Sequence, residues 1–158
     1  MADEHSFLLQ RVQPAMVGLI DGSLSTLAPI FGIAFYTHRP HVAFIAGLST
    51  SIGAAISMAF SEGLSDTGEI TGRGSPVARG SITGAGTFLG GILHSLPFLI
   101  PSYHAAVVAA AIVVGFELVM LAVIRWKFFE TSFVRSLVAV SIGGAVIAVV
   151  GAVIGSAG

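Results

Sequence analysis

The sequence lacks cysteine, and charged residues make up only 9% of its 158 residues. The absence of cysteine excludes a disulfide framework, a thiolate metal site and a thiol nucleophile. The scarcity of charge, beside 54% hydrophobic residues, is typical of a chain embedded in a lipid bilayer. A net charge of -1 argues against a nucleic-acid partner. There is also no activated nucleophile, glycine-rich phosphate loop or histidine cluster, so we expect neither an enzyme nor a bound prosthetic group.

Five apolar stretches are long enough to cross the hydrocarbon core of a bilayer as helices. They lie at about 14–37, 42–64, 80–100, 104–124 and 133–156. Because the loops between them are short, residues 14–158 are predicted to form one membrane domain after an N-terminal segment, 1–13. The predicted fold class is an all-α, multi-pass integral membrane protein with five transmembrane helices.

The basic residues predict how the helices are oriented in the membrane. Six of the seven would share one side: Arg11, Arg73, Arg79, Arg125, Lys127 and Arg135. Cytoplasmic loops are enriched in Lys and Arg, so the N-terminus is expected in the cytoplasm and, with five spans, the C-terminus outside. The membrane would be the cell inner membrane of a bacterium or a vacuolar-type membrane of a eukaryote.

Asp21 lies inside the first apolar stretch, with no residue of opposite charge near it in the sequence. A carboxylate there costs about 2.5–3.5 kcal/mol on insertion scales, which indicates a function. Such an acid could bind a cation, relay protons or pair with a residue across the helix bundle. No Lys or Arg lies within the predicted spans, and His94 is predicted at a different depth, so we expect no ionic partner for Asp21 or Glu117.

Counting at about 1.5 Å per residue places Asp21, Met58 and Glu117 in one layer, roughly 10 Å inside the cytoplasmic boundary. Two carboxylates and a thioether suit a borderline divalent cation such as Fe²⁺, Mn²⁺ or Zn²⁺. Core packing is the alternative role for Met58. Ser25 shares the helix face of Asp21, and Met120 shares that of Glu117, so both are further candidates.

Two more sets of ionisable residues are candidates for the same pathway. Glu62, Asp66 and Glu69 have the spacing of one helical face at the cytoplasmic end of the second span. They would either attract cations to the mouth of a pathway or form a solvated helix end. His94 would be either a hydrogen-bonded structural residue or a proton group on the exit side.

Two features concern the packing of the helices. Pro29 removes the hydrogen bond to the Ser25 carbonyl oxygen, which predicts either a packing kink or a carbonyl freed for a ligand. Gly-x-x-x-Gly pairs predict either tight packing or a dimer seam involving the fifth helix. They are Gly18/Gly22, Gly86/Gly90 and Gly151/Gly155.

Three segments resemble motifs of the vacuolar iron transporter family, in the family's order along the chain. Residues 18–26, Gly-Leu-Ile-Asp-Gly-Ser-Leu-Ser-Thr, are similar to the first-helix motif G-L-x-D-G-x-x-x-T. Residues 57–65, Ser-Met-Ala-Phe-Ser-Glu-Gly-Leu-Ser, are similar to the second-helix motif S-M-x-x-x-E-x-x-S. Residues 90–101 resemble the third-helix motif G-G-x-x-x-x-x-P-F-L.

The resemblance is greatest to the membrane module of membrane-bound ferritin (the erythrin–vacuolar iron transporter group), on residues 21–31, 64–76 and 116–118. It implies a homodimer that exports Fe²⁺, and often Mn²⁺, from the cytoplasm in exchange for protons. Zn²⁺ and Co²⁺ would be surrogate ions. The ligands that the resemblance implies are Asp21, Met58, Glu62 and, in this subtype, Glu117.

The sequence departs from these relatives in the parts that collect metal. Vacuolar iron transporters carry a metal-binding domain where only Ser65 to Arg79 stand here, and the short N-terminal segment lacks paired Glu-x-x-His motifs. A ferritin-like domain or protein is therefore an expected partner. The alternative functions are a membrane anchor for such a partner and a proton-coupled transporter of another solute.

Overall fold

In the computed structural model, which describes residues 2–129 and 131–157, the chain forms a bundle of α-helices. The helices are α1 (Ala2–Phe7), α2 (Gln13–Ser25), α3 (Leu27–Thr37), α4 (Pro40–Ser65), α5 (Pro76–Leu93), α6 (Tyr103–Phe129) and α7 (Phe133–Ser156). A π-helical segment, Leu8–Val12, joins α1 to α2, and a 3₁₀ turn, Leu96–Leu99, follows α5. The described residues contain no β-strand, which confirms the predicted all-α class.

The first membrane helix is longer than predicted and has two irregularities. It runs over Glu4–Thr37, whereas the prediction began at residue 14. The π-helical segment ends just before Pro14, whose ring has no N–H to continue the regular hydrogen-bond pattern. The helix is interrupted again at Thr26, three residues before Pro29. The irregularity that Pro29 predicts is therefore confirmed.

Within residues 2–129 and 131–157, four helices are long and apolar enough to cross a membrane: Glu4–Thr37, Pro40–Ser65, Tyr103–Phe129 and Phe133–Ser156. α5 is not among them, so the third of the five predicted spans is not confirmed. It has 18 residues, five of them glycine, and carries Arg79 in its first turn. Its main contacts are with α2 and α4, on the face that carries its buried glycines.

Glycines bring the helix backbones into contact within one chain. A Cβ atom added to Gly22 would overlap the carbonyl oxygen of Thr87, so no other residue fits there. All members of the predicted glycine pairs would meet the backbone of a neighbouring helix in this way: Gly18, Gly22, Gly86, Gly90, Gly151 and Gly155. Of the two alternatives, these pairs therefore serve tight packing inside the chain.

The segments predicted to share the cytoplasmic side lie at one end of the bundle. Gln10 donates a 3.2 Å hydrogen bond to the carbonyl oxygen of Gly72, in the loop 66–75. Gln13 lines a groove together with Arg125, near the end of α6. Their common location agrees with the predicted grouping, and the side of the membrane that this end faces stays a prediction.

Large apolar side chains are exposed on α4, α6 and α7. Examples are Ile56, Phe60, Ile112, Phe116 and Val146. A soluble monomer rarely leaves so much continuous apolar surface in water. Together with the four long apolar helices, this surface indicates an integral membrane protein.

Candidate metal and proton sites

Asp21, Ser25 and Met58 line the same open groove, of about 480 Å³, beside the middle of the first membrane helix. Asp21 and Ser25 lie one turn apart on α2, and Met58 comes from α4. The remaining lining residues are aliphatic: Val17, Ile20, Leu24 and Ile147. We call this the Asp21 groove. The structure thus brings together three of the predicted residues, and their role as ligands stays a prediction.

The Asp21 groove has too few donors for a complete metal site in one chain. It offers one carboxylate, one hydroxyl and one thioether, and no Lys or Arg is among its lining residues. Across the described residues, no group of three or more His, Cys, Asp and Glu side chains could hold a metal ion. Divalent iron and manganese usually take more ligands than this groove supplies, so further donors would have to come from outside the chain or from water.

Glu117 does not line this groove, because it is buried against His94. The Glu117 Oε2 atom lies 3.0 Å from the His94 Nδ1 atom, and both side chains are almost completely enclosed. The expectation that Glu117 has no ionisable partner is therefore wrong. On its other side, the His94 Nε2 atom lies 2.8 Å from the hydroxyl oxygen of Thr26, at the interruption of the first membrane helix.

The depth count failed because the helices do not end where the sequence prediction ended them. α6 continues past Arg125 to Phe129, so Glu117 lies twelve residues from the end of its helix rather than eight. That difference amounts to about 6 Å at 1.5 Å per residue. α5 ends at Leu93 instead of continuing to residue 100, and His94 caps it at the level of Glu117.

The hydrogen bonds around His94 determine how many protons the pair holds. The Thr26 hydroxyl donates to the carbonyl oxygen of Gly22 at 2.8 Å, so the His94 Nε2 atom must carry the proton in its contact with Thr26. The contact between His94 and Glu117 then contains one shared proton, held either by the imidazole or by the carboxyl group. The pair is neutral overall in both forms.

Glu62 and Asp66 are paired with two arginines. The Glu62 Oε1 atom lies 2.6 Å from the Arg73 Nη2 atom and 2.9 Å from the Arg79 Nε atom. The Asp66 Oδ2 atom lies 3.0 Å from Arg73 and 3.3 Å from Arg79. We call these four residues the arginine–carboxylate cluster. Their charges cancel, so the acidic mouth predicted here is neutralised.

The predicted acidic helix face is also absent, because α4 ends at Ser65. Asp66 follows in an extended conformation and receives a hydrogen bond from the backbone N–H of Gly68. Gly68 has φ +80°, a left-handed value that ends the helical path. Glu69 consequently lies on an exposed loop and does not join Glu62 and Asp66.

The pKa of Asp66, which lies outside the membrane-spanning segments, is lowered. Partial desolvation raises the pKa of Asp66, but its hydrogen bonds and nearby charge outweigh that effect and lower the pKa below its usual value. The lowering contributions come from hydrogen bonds with Thr71, Gly68 and Arg73 and from the charge of Arg79. Asp66 is therefore held ionised at neutral pH by this loop.

Sequence reasoning missed Arg79, whose side chain is fully enclosed. The prediction placed it in a loop because it started the third span at residue 80. Ser75 followed by Pro76 is a helix-start signal, and the structure shows Ser75 accepting from the Ala78 N–H. That signal puts Arg79 inside the helix. The remaining candidate, Met120, is partly buried on α6 and does not line the Asp21 groove.

Comparison with known protein families gives a match for one part of the chain. Residues 12–71 match the model of the VIT family, which confirms the resemblance to vacuolar iron transporters over this segment. The segment contains Asp21, Met58 and Glu62. No curated protein and no solved structure gave a match. The closer resemblance to membrane-bound ferritin stays a prediction.

Proposed function

We propose that this chain, whose residues 12–71 match the VIT family, is a secondary transporter that exports Fe²⁺ or Mn²⁺ from the cytoplasm in exchange for protons. One observation carries the proposal: Asp21 and Met58, from different helices of the matched segment, line the same groove without a basic residue. An unpaired carboxylate attracts a cation, and a thioether beside it favours iron or manganese over Mg²⁺.

Open grooves along the first membrane helix support a path to this site. A second groove, lined by Gln13, Arg125 and Thr131 among others, shares Val17 and Ile20 with the Asp21 groove. It opens at the end of the bundle predicted to be cytoplasmic. A third groove continues one turn further along the helix, with Pro29 and Tyr36 in its lining. One side of this helix is therefore open along most of its length.

We also propose that a second copy of the chain covers this open side. In a monomer the grooves would expose Asp21 and Ser25 to lipid, which is unfavourable for a carboxylate. A second copy would close the path and bring a second carboxylate and a second thioether to the site. The homodimer that the family resemblance implies would thus supply the donors that one chain lacks.

The absence of cysteine allows a direct test of this dimer. A Ser25→Cys variant carries a single thiol on the open face, and a short bifunctional maleimide should cross-link it into dimers in membranes. Ile112→Cys, on the exposed outer face of α6, is the matched control and should remain monomeric on gels. Equal cross-linking of both variants, or none of Ser25→Cys, would exclude this interface.

Proton exchange would use carboxyl groups that take up protons in the absence of metal. Asp21 is the direct candidate, because a metal ion and a proton would compete for the same oxygen atoms. The enclosed pair of His94 and Glu117 is a second candidate, since it already shares one proton and contacts the first membrane helix through Thr26. In this proposal Asp21 binds either the metal ion or a proton, and the pair of His94 and Glu117 carries a proton beside it.

Calorimetry of the purified protein tests metal binding and separates the alternatives. We expect saturable Mn²⁺ binding that is lost in Asp21→Asn and kept in Glu69→Gln, which makes the same charge change on an exposed loop. An absence of saturable Fe²⁺, Mn²⁺ or Zn²⁺ binding would favour a transporter of another solute, with the acids as proton carriers. A non-transporting anchor for a ferritin-like partner would likewise show no Asp21-dependent binding.

A further inference from the structure

The groove that opens at the end of the bundle predicted to be cytoplasmic combines a polar end with an apolar wall. Its polar lining residues are Gln13, Arg125 and Thr131. Its apolar lining residues are Met16, Val17, Ile20 and Phe129. Along α2 the lining is polar at Gln13 and apolar from Met16 onward, so it becomes apolar towards the middle of the bundle. We call this space, of about 310 Å³, the Arg125 groove.

The Arg125 guanidinium is held on one edge by the turn between α6 and α7. The Thr131 hydroxyl donates to the Arg125 carbonyl oxygen at 2.9 Å, so Ser136 is the donor in its 3.0 Å contact with Thr131. The Ser136 oxygen accepts from the Arg125 Nε atom at 3.4 Å. Within residues 2–129 and 131–157, the two Nη groups of Arg125 have no hydrogen-bond or ion-pair partner. The groove lining thus contains an oriented guanidinium with donors available to a ligand.

A phospholipid carries its chemical groups in the same order as the Arg125 groove. Its phosphate lies at the membrane interface, where a guanidinium binds phosphate through paired hydrogen bonds. Its acyl chains extend into the membrane, as the apolar wall along α2 does. In residues 125–135 three basic residues stand against one acidic residue, Glu130, and the exposed Trp126 is typical of the interface. A soluble anion would leave the apolar wall uncovered, so the groove favours an anionic lipid.

We propose that the Arg125 groove binds one anionic phospholipid of the membrane, with its phosphate on Arg125 and an acyl chain along the wall formed by α2. The inference rests on the proposed function, because this groove leads to the Asp21 groove through Val17 and Ile20. A positive charge in the lining of the path opposes an entering divalent cation. The lipid phosphate cancels that charge. The second copy of the chain would cover the path further along, at Asp21 and Ser25.

Native mass spectrometry of the purified protein in detergent measures lipid binding directly. The parent protein should bind one phosphatidylglycerol about tenfold more tightly than Arg125→Gln, the change expected when paired charge-assisted hydrogen bonds are lost. Arg135→Gln makes the same charge change outside the groove lining and should weaken binding less than about twofold. Arg125→Lys keeps the charge without the paired donors and should bind with intermediate affinity. A circular-dichroism melt of each variant checks that it is folded.

Four outcomes would overturn the lipid site. Equal weakening by Arg125→Gln and Arg135→Gln would show that surface charge alone attracts the lipid. Equal binding of phosphatidylcholine would show ordinary boundary lipid, and full displacement of phosphatidylglycerol by excess inorganic phosphate would show a site for a free anion. Lipid bound to monomers but absent from dimers would assign the groove to the second copy.

Mn²⁺ flux in liposomes separates this inference from the proposed function. Adding phosphatidylglycerol to phosphatidylcholine liposomes should lower the Mn²⁺ concentration for half-maximal flux about threefold more for the parent protein and Arg135→Gln than for Arg125→Gln, which has no charge to cancel. An equal lowering in all three proteins overturns the role of the lipid at Arg125 and leaves transport through Asp21 intact. If Asp21→Asn transports like the parent protein while lipid binding still depends on Arg125, the proposed function fails and the lipid site stands.

Discussion

The Asp21 groove and the arginine–carboxylate cluster lie one helical turn apart, and their carboxylates differ in whether a basic side chain pairs with them. Asp21 faces an open groove with no basic residue in its lining, whereas Glu62 and Asp66 are held by Arg73 and Arg79. Ion pairing satisfies an acid and fixes the chain around it, while an unpaired acid keeps its affinity for a mobile cation. The contrast separates an acid that has no basic partner from acids that organise the fold.

The largest effect is expected from removing the enclosed arginine of the cluster. Arg79→Gln should lower the free energy of unfolding by about 3 kcal/mol, because it removes the buried charge that pairs with Glu62 and the donor to two backbone carbonyl oxygens. Arg73→Gln, the matched change at the more exposed arginine, should cost about 1 kcal/mol or less. Thermal unfolding in detergent measures both. Equal losses would show that the enclosed and the partly exposed arginine stabilise the fold to the same extent.

The sequence predicted the groove better than the ion pairs, for a physical reason. Asp21, Ser25 and Met58 lie in α-helices, where residue spacing fixes which side chains share a face, and the structure brings the three to one groove. The partners of Glu62 and Glu117 depend on where helices end. Helix ends follow from capping and turn geometry, as with Ser75 before α5 and His94 after it, and a charged residue is a poor marker of them.

A second large loss in the free energy of unfolding is expected at His94 and Glu117. Like the acids of the arginine–carboxylate cluster, Glu117 has an ionisable partner. His94→Leu should cost about 2 kcal/mol, because it leaves a buried carboxyl group without its partner. The double variant His94→Leu with Glu117→Leu should lose less than the sum of the two single changes. Additive losses in thermal unfolding would show that the two side chains do not interact.

Asp21→Asn should behave differently, because no partner is lost. We expect its free energy of unfolding to stay within about 0.5 kcal/mol of the parent protein, in contrast to the paired acids. Glu69→Gln, on the exposed loop, serves as the reference for a harmless change. A loss as large as that of His94→Leu would place Asp21 among the structural acids.

The smallest effect is a change in how the free energy of unfolding depends on pH under acidic conditions. The pKa of Asp66 is lowered in the folded protein, so its ionised form stabilises the fold at neutral pH and that contribution is lost as the pH falls below the usual value of 3.8. Asp66→Asn should therefore be less stable than the parent protein at pH 7 and equally stable well below pH 3.8. A stability difference that does not change between these conditions would contradict the pairing of Asp66.

Metal flux tests the central claim most directly, since the claim is that the unpaired acid carries the transported cation. Proteoliposomes with a pH gradient should show Mn²⁺ movement for the parent protein and for Glu69→Gln, and only background movement for Asp21→Asn. If the thermal unfolding of Asp21→Asn matches that of the parent protein, a loss of flux does not come from a loss of structure. If Asp21→Asn transports Mn²⁺ at the rate of the parent protein, the assignment of Asp21 as the transport acid is wrong.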